Sequence, residues 1–145
     1  MRILKAHIRH VDQLSSLAVA LWPSHSLEDM RCEFTELLNR SNTRIYVCAV
    51  QEQLIGFAQF SIRKDYVEGA SCSPVAYLEG LYVIPEYRRK GVARALINMG
   101  EEWARGKNCL QMASDCELHN DTSIKLHMGE GFREVNRVIC FLKEL

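Results

Sequence analysis

The stretch from Leu78 to Trp103, LEGLYVIPEYRRKGVARALINMGEEW, constrains the fold more than any other part of the chain. Its first residues read as a β-strand that ends at Ile84, because Pro85 cannot continue a strand ladder. From Val92 onward, apolar residues recur three or four positions apart, which predicts an amphipathic helix. We therefore expect a strand, a basic turn and a helix that packs on a sheet.

The turn between this strand and helix has the features of an anion-binding site. It reads R-x-x-G-x-A from Arg88 to Ala93, and the small residue Gly91 lets a ligand approach the backbone. The unpaired N–H groups and the dipole of a helix start favour an anion. Four cations and one anion lie between Glu86 and Arg94, in a chain whose formal net charge is zero. The alternative is an ordinary solvated basic turn; we predict a phosphate or pyrophosphate site.

The composition is that of a globular chain, with 145 residues, 48% hydrophobic and 25% charged. We expect a single domain over residues 1–145. The balanced charge and a pI near 6.9 argue against a general binder of nucleic acid or of anionic membranes. No apolar run approaches the roughly 20 residues that cross a bilayer. The charged start, MRILKAHIRHVD, has no signal-peptide core, so we expect a cytoplasmic protein.

The six cysteines lie scattered along the chain, without a C-x-x-C pair or a Cys/His metal spacing. We expect free or buried thiols and no metal site.

Hydrophobic periodicity predicts the element order β-α-α-β-β-β-α-β-α-β, an α/β domain with a mixed sheet and helices on both faces. Ser26 is the expected N-cap of the second helix. The polar segment 65–74 is the longest expected loop. The predicted strands are 2–8, 44–50, 54–64, 76–84, 109–113 and 133–142, and the helices are 11–21, 27–39, 92–105 and 120–129.

The strand, basic turn and amphipathic helix resemble the acetyl-coenzyme A motif of the GCN5-related N-acetyltransferase (GNAT) superfamily, and the predicted element order is that of its fold. The resemblance implies that backbone N–H groups of the turn bind the coenzyme A pyrophosphate. A backbone N–H on the preceding strand would bind the thioester carbonyl. The residues implied in coenzyme binding are Leu81, Tyr82, Val83, Arg88, Arg89, Lys90, Gly91, Val92, Ala93, Arg94, Asn120 and Ser123.

A second part of this resemblance lies near the C-terminus, in the spacing Asn120-x-x-Ser123-x-x-Leu126-His127. In many GNAT relatives the asparagine contacts the pantetheine arm, and a tyrosine at the position of His127 protonates the departing thiolate. A histidine can transfer a proton near neutral pH. His127 is therefore the expected general acid, and a partly exposed helix residue without such a role is the alternative.

Two carboxylates are candidates for binding the acceptor and for catalysis. Glu79 sits inside an apolar strand, where an unpaired carboxylate is costly, so it either forms an ion pair or faces a cleft. Asp115 follows the next strand and lies at the same end of the sheet if the two strands run parallel. Both carboxylates suit a polycationic amine, and one of them can take the amine proton directly or through water. Direct transfer needs no cysteine nucleophile, and no cysteine has a visible activating partner.

A closer resemblance is to the bacterial aminoglycoside 6′-N-acetyltransferases. It is carried by LWPSHS, RKDYVEG, SPVAYLEGLYVIPEYRRKGVA and ASDCELHN. It implies acetylation of an aminoglycoside 6′-amine by acetyl-CoA, antibiotic resistance, and a homodimer. Trp22 and His25 would line the aminoglycoside site, and Tyr66 would lie in the loop covering it. Glu79 and Asp115 would contact the drug's amines, with Glu79 as the expected base. Asn136 departs from relatives that have an acidic residue in that stretch.

Two other functions stay open at this point. One is acetylation of a polyamine, another small amine or a protein N-terminus. The other is an acetyl-CoA-binding regulator without turnover, which the acidic residues beside a complete pyrophosphate turn disfavour.

Overall fold

A five-stranded sheet, with its strands side by side in chain order, forms the centre of the computed structural model, which describes residues 1–145. Short 3-10 turns at Ile8–His10 and Pro85–Tyr87 precede two of the helices. The strands are β1 (Arg2–Lys5), β2 (Thr43–Val50), β3 (Gln53–Arg63), β4 (Val75–Val83) and β5 (Met112–Ser114). The helices are α1 (Val11–Leu21), α2 (Leu27–Leu37), α3 (Val92–Gly106) and α4 (Asp121–Gly129).

The sheet is mixed, as predicted. Strands β1 to β4 pair antiparallel, because β2 and β3 form a hairpin and β4 returns after the long loop 64–74. Strand β5 is parallel to β4, because helix α3 crosses between them. The expectation that the strand containing Glu79 and the strand before Asp115 run parallel is therefore confirmed.

The helices cover both faces of the sheet, because side chains along a strand point alternately to opposite sides. Helices α1 and α2 pack on the face where Phe57 is buried, together with Leu14 and Phe34. Helix α3 packs on the other face, where Leu96 and Ile97 contact the cluster around Phe60. The predicted α/β fold class is thus confirmed.

Helix starts follow the capping residues in the sequence. The Ser26 hydroxyl accepts a hydrogen bond from the Asp29 N–H at 3.1 Å, which confirms the predicted cap of α2. The Asn120 carboxamide oxygen accepts from the Ser123 N–H at 3.1 Å and caps α4 in the same way.

The predicted last strand, 133–142, is wrong for this structure. Residues 133–145 form no strand and take part in no backbone–backbone hydrogen bond, and all of them are exposed. A strand pattern produces a strand only where a neighbouring strand is available for pairing. The predicted 109–113 strand is also displaced, since β5 begins only at Met112.

No helix combines the length and apolarity that crossing a membrane requires. All six cysteines are free. No group of three or more histidine, cysteine, aspartate or glutamate side chains is arranged to hold a metal ion.

Candidate active site

The pairing of β4 with β5 ends at Leu78 and Ser114, because β5 stops there while β4 continues to Val83. The space beside this unpaired edge of β4, the gap, is the centre of the candidate site. The β4–β5 pairing begins with Ala76 opposite Met112 and ends with Leu78 opposite Ser114. Glu79 is the next residue of β4, and it is an extra residue in the ladder with β3, a β-bulge. Bulges bend a strand and re-aim its side chains. The gap therefore opens where Glu79 lies.

The backbone of β4 beyond the bulge presents a free N–H group to this gap. The Ile84 N–H donates to the Ile55 carbonyl of β3 at 2.9 Å. The neighbouring Val83 carbonyl accepts from the Arg88 guanidinium at 2.7 Å on the opposite side. Because successive strand residues alternate in direction, the Leu81 N–H also points away from β3. It is placed to donate to a carbonyl in the gap.

The turn before α3 forms an anion-binding concavity. Arg89 and Gly91 both adopt left-handed backbone conformations, with φ of 63° and 82°. Backbone N–H groups of residues 89–94 donate to no acceptor within the protein. Successive free N–H groups in such a conformation make a nest for an anion, and the dipole of α3 adds positive potential. A Cβ built on Gly91 meets no atom within 4 Å, so the concavity is open.

The basic side chains of this turn are distributed differently from the sequence expectation. Arg88 binds a backbone carbonyl and lies 5.5 Å from the Tyr82 ring centre. The Lys90 ammonium donates to the Glu86 carbonyl at 3.0 Å, and Arg94 pairs with Glu130 at 3.1 Å. Three of the four cations thus already contact acceptors within the protein, and the free backbone N–H groups are the principal donors for a bound anion.

Glu79 forms the ion pair that was one of its two sequence interpretations. Its Oε1 accepts from the Ser61 hydroxyl at 2.5 Å and from Arg63 Nε and Nη2 at 3.1 and 2.8 Å. Its Oε2 accepts only from Arg63 Nη2, at 2.9 Å. The Glu79 side chain keeps 23% of its surface exposed. Oε2 therefore has capacity for another donor, and the ion pair does not remove Glu79 from the cleft.

Asp115 lies in the same hydrogen-bonded network through Tyr77. The Tyr77 hydroxyl donates to Asp115 Oδ2, and Arg63 lies 3.4 Å from the centre of the Tyr77 ring. Burial, and then the hydrogen bond to Asp115, raises the pKa of Tyr77 well above its usual value. Tyr77 is therefore a donor at every physiological pH. Asp115 itself is exposed, with Oδ1 free of protein partners.

Of the aromatic residues predicted for the acceptor side, Trp22 lies beside β4, and His25 and Tyr66 lie on exposed loops. Trp22 packs against the backbone of Gly80, where a Cβ would approach the indole to 2.4 Å. His25 is exposed in the following loop, and its N–H donates to the Trp22 carbonyl at 3.0 Å. Tyr66 is 82% exposed, and its hydroxyl donates to Glu68 at 2.7 Å. Tyr66 is thus available to a ligand from outside the protein.

Of the predicted residues in the C-terminal half, His127 contacts β5 and Asn120 caps its own helix. Asn120 uses its oxygen as the cap of α4, which leaves its NH₂ group free to donate. His127 lies on α4 and reaches back to Ser114 of β5, with 2.7 Å between Nε2 and Oγ. His127 therefore lies beside the last residue pair of β4 and β5.

Sequence reasoning did not identify Ser61, Arg63, Tyr77 and Ser114. Ser61 and Arg63 share one face of β3, since they are two residues apart. The β3–β4 register brings that face beside Glu79, and this pairing was the only available signal.

Free N–H groups at a helix start, next to a gap between parallel strands, define a phosphate-binding α/β protein.

Comparison with known proteins gives one family for almost the whole chain. The Acetyltransferase (GNAT) family matches residues 12–132. The aminoglycoside N(6′)-acetyltransferase type 1 of Salmonella typhimurium is 38% identical over 143 residues, which cover 99% of each chain. The protein of the same name from Serratia marcescens is 39% identical over 137 residues, covering 94% of each chain.

Solved structures give the same result. AAC(6′)-Iy in complex with the bisubstrate analogue CoA-S-monomethyl-acetylneamine has a TM-score of 0.94 at 36% identity, covering 99% of this chain and 98% of that one. AAC(6′)-Ig from Acinetobacter haemolyticus has a TM-score of 0.95 at 36% identity, covering 100% and 99%. The chain belongs to the acetyltransferase (GNAT) family, and its resemblance to the aminoglycoside 6′-N-acetyltransferases is confirmed.

Proposed function

We propose that this protein transfers the acetyl group of acetyl-CoA directly to the 6′-amine of aminoglycosides and so confers resistance to them. The observation that carries the proposal is the pair of carboxylates, Glu79 and Asp115, at the open end of β4 and β5. Glu79 Oε2 accepts a single hydrogen bond, from Arg63, and Asp115 Oδ1 accepts none, so each carboxylate has capacity for a further donor. This arrangement suits an acceptor with several ammonium groups.

The donor side fits acetyl-CoA. The nest of residues 89–94 has the free N–H groups that a pyrophosphate requires, and the concavity at Gly91 is open. The Leu81 N–H is the candidate donor to the thioester carbonyl. The free NH₂ of Asn120 is the candidate donor to the pantetheine amides, and Ser123 lies beside it in the first turn of α4.

The reaction itself is a proton removal, an attack and a proton return. The 6′-ammonium gives a proton to Glu79, directly or through water, and the free amine attacks the thioester carbon. The oxyanion that forms accepts a hydrogen bond from the Leu81 N–H. The nitrogen of the intermediate loses its second proton to water as the C–S bond breaks with its electron pair on sulfur, and the thiolate takes a proton from the His127 side. No covalent enzyme intermediate is needed.

The acceptor side supplies charge and stacking surfaces. Trp22 forms an apolar wall beside Glu79, and Asp115 binds a second ammonium at the rim. Tyr66 is exposed on the β3–β4 loop and His25 on the α1–α2 loop, and both are candidate contacts to the sugar rings. Because Asp115 is exposed, its contribution is an ordinary screened charge pair of about 1 kcal/mol or less.

Thiol release tests the proposal. Purified protein, acetyl-CoA and a thiol reagent are mixed with kanamycin or tobramycin, and in parallel with paromomycin, which has a 6′-hydroxyl, and with spermidine. We expect release with the 6′-amino drugs alone. Release with spermidine alone would transfer the activity to polyamines, and acetyl-CoA binding without release from any acceptor would make the protein a regulator.

We also propose a homodimer in which the C-terminal segment 133–145 of each chain pairs with the other chain. Ile139, Phe141 and Leu142 are 81–91% exposed, in a segment with strand periodicity and no backbone partner. The outer edge of β5 lacks a neighbouring strand, and a groove of about 350 Å³ runs beside it. Apolar strands of this kind pair with a second chain when one is available.

The free thiols suit a reducing, cytoplasmic compartment.

Light scattering on a size-exclusion column tests the dimer. Wild type is expected at twice the monomer mass, and Phe141→Asp is expected to shift it to the monomer. Ile8→Asp is the control, since Ile8 is also exposed but lies far from this segment in the chain. A monomeric wild type, or a dimer that persists in Phe141→Asp, would contradict the proposal.

A further inference from the structure

Ser114 and His127 form a hydrogen-bonded pair at the point where the pairing of β4 with β5 ends. His127 Nδ1 lies 2.7 Å from the Ser123 carbonyl oxygen, and Nε2 lies 2.7 Å from Ser114 Oγ. Ser114 Oγ is also 3.2 Å from the Leu78 carbonyl oxygen. The Phe132 ring stands edge-on to the imidazole, with 5.2 Å between centroids, and limits its rotation.

The chemistry of these partners determines which nitrogen carries the proton. A carbonyl oxygen only accepts, so Nδ1 carries a hydrogen and donates to Ser123. In the neutral imidazole Nε2 is then an acceptor, and the Ser114 hydroxyl donates to it. In the imidazolium Nε2–H donates to Ser114 Oγ, and the serine hydroxyl turns to the Leu78 carbonyl. Every group keeps a partner in both states, so His127 can change protonation without rotating.

We propose that Ser114 is a further catalytic residue, which carries the proton from His127 to the departing thiolate. The inference rests on the proposed acetyl transfer. As the C–S bond breaks, sulfur keeps the electron pair and takes the Ser114 hydroxyl proton. Nε2–H of the imidazolium returns a proton to Ser114 Oγ, and His127 is left neutral with its hydrogen on Nδ1. Atoms and charge balance, and no other reactant is needed.

The position of Ser114 supports this role. It is the last β5 residue paired with β4, so its half-buried hydroxyl lies at the closed end of the gap that receives the acyl donor. Charged groups on the neighbouring elements have other partners: Asp115 accepts from Tyr77, and Glu130 pairs with Arg94. Lys125 and Asp121 of α4 are exposed. The ring of His127 forms no ion pair, so its hydrogen bonds to Ser114 and Ser123 define its state.

Two-bond ¹H–¹⁵N spectra test the structural half of the inference without turnover. The chain has five histidines, and His127→Gln assigns the signal by its disappearance. In the neutral form of its ring, His127 of the wild type is expected to show the Nδ1–H tautomer, whereas free histidine favours Nε2–H. An Nε2–H signal for His127 would overturn the proposal whatever the outcome of the acetylation assay.

Kinetics test the catalytic half. Ser114→Ala is expected to lower kcat with tobramycin by about tenfold or more, while KM and the acetyl-CoA Kd change less than twofold. Ser114→Thr keeps a hydroxyl and is expected to retain most of the rate. In a His127→Gln background Ser114→Ala is expected to have little further effect, because the two residues act as one unit. Unchanged kcat in Ser114→Ala, or additive losses in the double variant, would overturn the proposal.

Discussion

Arg63 holds Glu79 through two guanidinium nitrogens, with Nη2 lying 2.8 and 2.9 Å from the two carboxylate oxygens. The same guanidinium stacks on Tyr77, which in turn donates to Asp115. One cation thus organises both carboxylates of the candidate acceptor site. Because Arg63 is a planar five-donor group, it fixes the orientation of Glu79 while leaving Oε2 with free acceptor capacity.

Glu79→Gln is expected to lower kcat/KM for tobramycin by about 10²-fold, because a carboxamide cannot accept the amine proton. Thiol release across pH 6–9 measures this loss. Glu36→Gln is a matched control, since Glu36 also pairs with an arginine, Arg40 at 3.6 Å, but lies on α2 outside the site. Full turnover of Glu79→Gln at every pH would show that another group is the base.

Asp115→Asn is expected to raise KM for tobramycin about two- to fivefold, because an exposed carboxylate contributes about 1 kcal/mol or less to a charge pair. The acetyl-CoA Kd is expected to stay unchanged, since the proposed role of Asp115 is on the acceptor side. Steady-state kinetics at low and high salt measure the effect, which should shrink as salt screens the charge. A loss confined to kcat would instead give Asp115 a role in the chemical step.

Tyr77 is expected to make folding stability fall at alkaline pH. Its pKa is raised in the folded protein by burial and by the hydrogen bond to Asp115, so above the ordinary tyrosine pKa of about 10 the unfolded chain releases a proton that the folded chain retains. The contribution is complete below that pH and is lost as pH rises toward the folded pKa.

Urea unfolding at pH 8 to 11 measures this decline. Tyr77→Phe should flatten the decline, and Tyr87→Phe is the control because the Tyr87 hydroxyl has no hydrogen-bond partner in the protein. If the unfolding free energies of wild type and Tyr77→Phe fall equally steeply with pH in this range, Tyr77 is not the cause of the decline.

Gly91→Asp is expected to weaken acetyl-CoA binding by about tenfold or more, because a carboxylate would stand beside the bound pyrophosphate. Gly91→Asn separates charge from shape, since asparagine tolerates the left-handed conformation at φ 82° and adds a similar volume. Gly106→Asp adds the same charge at the far end of α3, where a Cβ meets nothing within 4 Å. Calorimetric titration with acetyl-CoA should order the affinities wild type, Gly91→Asn, Gly91→Asp.

Local signals in the sequence were sufficient to predict the elements of the acetyl-CoA side, which are the basic turn and helix α3. The helical period from Val92 and the glycine at position 91 predict the turn and α3, and both are present because capping, turn chemistry and amphipathicity are short-range properties. The parallel crossover to β5 then determined the relation between Glu79 and Asp115. Few alternatives to a parallel, right-handed connection exist for a strand–helix–strand unit in one sheet.

Long-range pairing accounts for what the sequence did not reveal. Arg63 and Tyr77 reach Glu79 and Asp115 only through the β3–β4–β5 register and the bulge at Glu79. The strand predicted at 133–142 has the right pattern but no strand beside it within this chain. A periodic pattern records which face of a segment is apolar, and it does not record which segment covers that face.

Gly100 has a close packing contact that the hydrophobic periodicity of the sequence does not predict. Its substitution is expected to destabilise the fold. A Cβ at this position of α3 would stand 2.2 Å from a ring carbon of Phe60, which is fully buried in the sheet. Gly100→Ala should therefore cost about 1–3 kcal/mol of unfolding free energy, even though alanine favours helix. Gly106→Ala on the same helix meets no neighbour and should change stability by less than about 1 kcal/mol. Urea midpoints of the two variants measure the difference, and equal midpoints would mean that Phe60 moves aside without cost.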